Sequence, residues 1–271
     1  MEITGIHANL SDPRIRKSVP RNSSRLQPMT DLQPMPEDWT RALAIVAHPD
    51  DMEYGAGGAV AAWTAQGKEV AYVMVSRGEA GIDGMSPEEC APVREAEQIA
   101  SAAAVGVSTV EFLDHKDGLI QAGIELRRDL TRVIRRHKPE LIITLNRRDH
   151  WQPGSWNSAD HRAVGDSVLD AAFDSGNRWI HTELIDEGHQ PWQGVRWVAL
   201  ANSPQSTHAV DITGTLERAI ASLAEHKAYI GALSDQAPEA YARQFLTMVG
   251  KGGGERFGCE LATPFELISL G

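Results

Sequence analysis

Three continuous apolar runs, each leading into a helix-forming segment, constrain this chain more than any other feature. They are "ALAIVA" (42–47), "EVAYVMVS" (69–76) and "ELIITL" (140–145). A strand with one wet face alternates apolar and polar residues, whereas an unbroken run implies cover on both faces. The segments between them read as helices. "GGAVAAWTAQG" (57–67) ends at Gly67, and "APVREAEQIASAAAVG" (91–106) has Pro92 in its first turn and Gly106 at its end. "IELRRDLTRVIRRHKP" (124–139) carries Leu126, Leu130, Val133 and Ile134 on one face and stops at Pro139. "TVEFL" (109–113) is a short strand and "DHRAVGDSVLDAAF" (160–173) a helix. Strands alternating with helices predict an α/β fold, a Rossmann-like, mostly parallel sheet with helices on both faces.

The C-terminal third decorates that frame. "VRWVALAN" and "HAVDI" read as further strands, "LERAIASLAEHKAYIGAL" (216–233) as one long helix, "VGKGGGER" (249–256) as a flexible loop, and "FELISL" as a last strand. Residues 1–38 hold Pro13, Pro20, Pro28, Pro34 and Pro36 without sustained periodicity, which predicts an extended N-terminal arm. Residues 39–271 are then expected to form a single domain.

Composition narrows the partners. A net charge of −11 argues against a general nucleic-acid or anionic-membrane binder, since either needs a basic face, and leaves room for a local basic pocket. No apolar stretch reaches the ~20 residues of a membrane span, and the N-terminus lacks a signal-peptide core. Cys90 and Cys259 lie far apart with no CxxC spacing, which fits a reducing cytoplasm. Composition leaves a homo-oligomer open.

The chemistry concentrates in "AHPDDMEYGAGG" (47–58). In open α/β sheets ligands collect at the carboxyl ends of strands, and this turn ends the first apolar run. Pro49 stiffens it. His48 and Asp51, three apart, can converge on one point, and a divalent cation would neutralise the paired carboxylates. His161, at a second strand-to-helix junction, is the candidate third ligand. Imidazole with carboxylate suits zinc, and iron, cobalt or manganese also accept such donors. Two aspartates after a strand also suit a turn or a helix cap, and a histidine at a helix start also suits a surface position. The metal reading rests on their joint placement.

Taken with "SRGEAG" (76–81), "VREAE" (93–97), "FLDHKDG" (112–118), "PELIIT" (139–144) and "DHRAVG" (160–165), the turn resembles the LmbE/PIG-L family of zinc-dependent N-acetylglucosaminyl deacetylases. The likeness runs through roughly residues 41–235. It implies that His48, Asp51 and His161 bind the metal, and that Asp50 is the general base for a metal-activated water. It also implies that Arg94 contacts polar groups of the substrate; the alternative is a structural arginine paired to Glu97 or Glu79. The expected reaction removes an N-acetyl or other N-acyl group from an amino sugar or glycoconjugate.

Two departures stand out. Family members carry Glu directly after the two aspartates, where this chain has Met52 and then Glu53. The second motif often reads His-x-Asp-His, and its first position here is Ser158. Another donor must then serve the developing oxyanion. His208 and His226 are the candidates ("EHKAY" resembles a C-terminal family motif), with His150, Ser158 itself or the metal alone as alternatives. Trp151 and Trp156 lie beside the site, where a ring can pack on a sugar or merely on the domain. Rival readings are an amidase for a larger thiol-conjugate or antibiotic-precursor amide, a non-catalytic metal-bound scaffold, and a nucleotide-binding module hinted at by "GAGG". The last lacks GxGxxG and GxxxxGK[ST], and the absence of GxSxG disfavours a serine hydrolase.

Overall fold

The computed structural model describes residues 31–270. The arm expected over residues 1–38 therefore falls mostly outside the described residues. Its described end packs on the body: Leu32 and Met35 are buried, and β1 (Gln33–Pro34) pairs in parallel with β9 (His208–Asp211).

The first half follows the strand–helix alternation. β2 (Arg41–Val46) runs into α1 (Asp51–Gly55) and α2 (Gly57–Ala65), and then come β3 (Glu69–Met74), α3 (Pro87–Ala104) and β4 (Thr109–Phe112). α4 (Ile124–His137) leads to β5 (Leu141–Leu145), a small hairpin of β6 (His150–Gln152) and β7 (Ser155–Trp156), and α5 (Ala159–Gly176). After α6 (Glu183–Asp186) and β8 (Trp197–Ala201), β9 is followed by α7 (Leu216–Ala224), α8 (Lys227–Leu233), α9 (Pro238–Phe257) and β10 (Ala262–Ser269).

Eight strands form one sheet in the order β1-β9-β10-β8-β5-β2-β3-β4. β2, β3, β4, β5 and β8 are parallel to their neighbours in that group, while β10 is antiparallel to both β8 and β9. Successive side chains of β2 go to opposite faces. Ala42, Ala44 and Val46 join Val60 and Trp63 of α2. Leu43 and Ile45 join Leu126, Leu130, Val133 and Ile134 of α4 and Val164 and Val168 of α5. Both faces are covered, which explains the unbroken apolar runs. From β2 the chain proceeds outward to β3 and β4, then returns to place β5 on the other side of β2. The order therefore reverses between β2 and β5, where such sheets open a crevice at their carboxyl ends.

Three expectations are corrected. The helix expected at 91–106 begins at Pro87, because Ser86 starts it and the Glu89 carboxylate accepts the Ser86 N–H at 3.0 Å; Pro92 lies inside the helix. The helix expected at 216–233 is two helices, separated where His226 turns the chain (φ −76°, ψ 57°). The loop expected at 249–256 is the last part of α9. Its glycines serve close packing rather than mobility. A Cβ on Gly253 would lie 2.2 Å from the Ala262 carbonyl oxygen, and one on Gly254 would lie 2.5 Å from that of Glu260.

Gly252 on the same helix meets nothing within 4 Å. Gly253→Ala is therefore expected to lose about 1–3 kcal/mol through overpacking, and Gly252→Ala to gain up to about 1 kcal/mol from helix propensity. Urea unfolding of the two variants checks this; equal effects would contradict the packing role.

Candidate metal centre and active site

The turn after β2 and the loop after β5 meet at the reversal point. His161 Nε2 lies 3.0 Å from Asp51 Oδ1, and His48 Nδ1 lies 3.6 Å from Asp51 Oδ2. Donor atoms of these three residues all fall within 4.8 Å of one another, a group that could hold a metal ion. Each of these three side chains is also aimed from behind. The His48 amide donates to Asp51 Oδ2 at 2.8 Å. His161 Nδ1 pairs with Asn157 Oδ1 at 3.1 Å, and the buried Asn157 is itself tied by its amide to the Asn146 and Arg148 carbonyls. That contact makes Nδ1 the protonated nitrogen and frees Nε2.

His48 is oriented by two carboxylates. Its Nε2 lies 3.1 Å from both Asp160 and Asp117. Asp160 also accepts the Gly118 and Ile120 amides, at 2.7 and 3.2 Å, and Asp117 accepts that of Ala80 at 2.9 Å. These acids form a second His/Asp group around the same imidazole. Their backbone bonds commit them to holding the ring, which leaves Nδ1 for the first group. The sequence reading gave neither acid a role, although Asp160 adjoins His161 and Asp117 stands in the quoted "FLDHKDG".

Asp50 diverges from its neighbour. It has φ 87°, a left-handed backbone that costs about 1 kcal/mol in a residue with a Cβ. Its Oδ2 accepts from Arg94 Nη2 at 2.9 Å. Arg94 is buried, donates also to the Pro49 carbonyl, and lies over the Tyr229 ring at 4.0 Å. It pairs with neither Glu97 nor Glu79, so the alternative pairing for it is replaced by Asp50. The glycines of "SRGEAG" clear its space: a Cβ on Gly81 would lie 2.1 Å from Arg94 Nη1.

The electrostatics differ across the cluster. Burial pushes the Asp50 carboxyl up to about 6, with Arg94 pulling the other way. Burial also works to raise Asp51, but His161 and His48 hold it far below the usual carboxylate range. Burial alone would depress His48, yet Asp51, Asp117 and Asp160 outweigh it and hold the ring well above its ordinary value. Such a cluster, two imidazoles and a carboxylate backed by further acids, is a donor set that fits a divalent cation.

A cavity of about 580 Å³ opens on Asp50, Asp51 and His161. Trp151 and Tyr229 wall it, and Trp151 meets His161 edge to face at 5.3 Å. Trp156 is 61% exposed and packs against His150 and Arg162 instead. Ser158 is the N-cap of α5, its hydroxyl accepting the His161 amide at 3.1 Å. His226 is fully buried, with Nε2 3.5 Å from Glu53, and is not among the residues lining the cavity. The structure does not bring His208 to the cluster. It lies in β9, four strand spacings from β2 or about 19 Å, and its Nδ1 pairs with Thr207.

This arrangement, on this sheet order, defines the LmbE-like fold. A diacetylchitobiose deacetylase structure from Pyrococcus horikoshii superposes with a TM-score of 0.77 at 26% identity, covering 86% of this chain and 85% of that one. A diacetylchitobiose deacetylase from Thermococcus kodakarensis is 27% identical over 222 residues, 81% of each chain. A 4-carboxy-2-hydroxymuconate hydratase from Pseudomonas putida shares the fold at 20% identity and a TM-score of 0.66, over 84% of this chain and 96% of that one. Residues 43–172 match the PIG-L family, described as GlcNAc-PI de-N-acetylase.

Removing a carboxylate that orients a ligand imidazole commonly weakens metal binding 10–100-fold. Asp160→Ala is expected to show a loss of roughly that size in chelator competition, and unchanged affinity would contradict its orienting role.

Proposed function

We propose that this chain is a divalent-metal hydrolase that removes the acetyl group from an N-acetylated amino sugar, with zinc as its metal. The observation that carries the reading is the pairing of a gripped carboxylate, Asp50, with the His48–Asp51–His161 donor set at one cavity. Three protein ligands of nitrogen and oxygen type suit an open catalytic zinc site, and the sugar substrate is supported by the likeness to the two diacetylchitobiose deacetylases. The hydratase on the same fold shows why the site, and not the fold, has to bear the argument.

In this reading His48, Asp51 and His161 hold the ion. When bound, it supplies Lewis acidity, polarising the amide carbonyl and acidifying water. Asp50 is the base. Arg94 occupies its Oδ2, so the proton taken from the attacking water goes to Oδ1 and is returned from there to the departing nitrogen. A carboxyl raised toward 6 suits a group that must both accept and release a proton near neutral pH. Arg94 thus serves through Asp50, and Trp151 and Tyr229 offer aromatic faces to the sugar. Residues 39–271 act as one catalytic domain, because the cavity draws on residues from Asp50 to Pro264.

Zinc-loaded protein is expected to release acetate from N-acetylglucosaminides and to lose that activity on chelation. Asp50→Asn should keep the wild-type metal content while kcat falls about 10²–10⁴-fold. Acetate release by the variant at the wild-type rate would remove Asp50 as the base.

A further inference from the structure

α3 presents two side chains to Asp50. Arg94 and Gln98 stand four residues apart and so leave the same helix face. Arg94 takes the carboxylate, while Gln98 Oε1 accepts the Asp50 N–H at 2.8 Å. The second contact falls on the residue with φ 87°, where the backbone has to be held.

Gln98 suits this task in one orientation of its amide. Its Nε2 donates to Glu53 Oε1 at 3.0 Å. Turned over, it would set NH₂ against the Asp50 N–H and its oxygen against a carboxylate. Glu53 therefore decides which end of Gln98 faces Asp50. Glu53 is 1% exposed, and its Oε2 has no hydrogen-bond partner but lies 3.5 Å from His226 Nε2. Neither ring nitrogen of His226 has a hydrogen-bond partner either. A fully buried carboxylate–imidazole pair is a poor source of stability, since desolvation offsets its attraction. Its place at the far end of a chain of contacts reaching Asp50 suggests another use.

We propose that His226, Glu53 and Gln98 are positioning residues for Asp50. His226 fixes the Glu53 carboxylate, Glu53 orients the Gln98 amide, and Gln98 holds the left-handed backbone that sets the Asp50 carboxylate apart from that of Asp51. None of the three touches substrate. The proposal rests on the reading of Asp50 as base, and it gives Glu53, displaced by one position from the usual motif, a specific task.

The test uses the zinc-loaded full chain with an N-acetylglucosamine disaccharide as probe. Gln98→Met removes the acceptor at similar size, and kcat is expected to fall about 10–100-fold, as displaced catalytic groups do. KM should stay within about threefold and metal content at the wild-type level. Glu53→Met should lower kcat likewise, and the double variant should be no slower than the slower single one, because both changes break one path. Should either chain fail to fold, Gln98→Asn, which keeps the amide but withdraws it, carries the same measurement. Turnover by Gln98→Met within twofold of the wild type, losses that add in the double variant, or losses that follow lost metal would each overturn the proposal. Asp50→Asn run alongside separates the claims. If it is inactive while Gln98→Met is unimpaired, only the positioning path falls. If it turns over normally, or the wild type does not turn over at all, the base reading falls and this proposal with it.

Discussion

Two adjacent carboxylates at the end of a buried strand repel each other, and the rest of the site follows from how that repulsion is resolved. The left-handed backbone at Asp50 sends its side chain to Arg94, while Asp51 turns to His48 and His161. Each acid thereby acquires its own positive or proton-donating partner. Burial raises the Asp50 carboxyl to about 6, while His161 and His48 hold that of Asp51 far below the ordinary carboxylate range. Environments that push like groups apart in this way commonly divide their roles in catalysis. Here the division begins in the backbone rather than in the side chains.

The sheet supplies the second half of the arrangement. Because β5 returns to the opposite side of β2 from β3, the turns after β2 and β5 face one crevice. His161 lies 110 residues beyond Asp51 and still reaches it. The orienting residues come from one of these loops and a third: Asn157 and Asp160 follow β5, and Asp117 follows β4. A shared fold with a hydratase means that the fold by itself does not specify the chemistry.

Much of this was legible in the sequence, for identifiable reasons. Continuous apolar runs such as "ALAIVA" marked doubly covered strands, because burial on both faces removes the polar alternation. His48, Asp51 and His161 could be grouped because strand ends converge in such sheets. What local patterns could not show was tertiary. The glycines at 250–254 look like a loop until Ala262 and Glu260 are seen pressing on the helix. The turn at His226 is hidden within a helical pattern, and that residue's burial beside Glu53 depends on how α3, α1 and α8 come together. Ser158 took its meaning from the helix it caps, and Trp151 rather than Trp156 faces the cavity because of the β6–β7 hairpin.

The central claim is that two imidazoles and one carboxylate from separate loops grip a single cation. X-ray absorption on zinc-loaded protein tests it most directly. The account predicts one ion per chain with two imidazole nitrogens in its first shell, reduced to one in His161→Ala. A shell without imidazole, or one unaltered by that substitution, would contradict it.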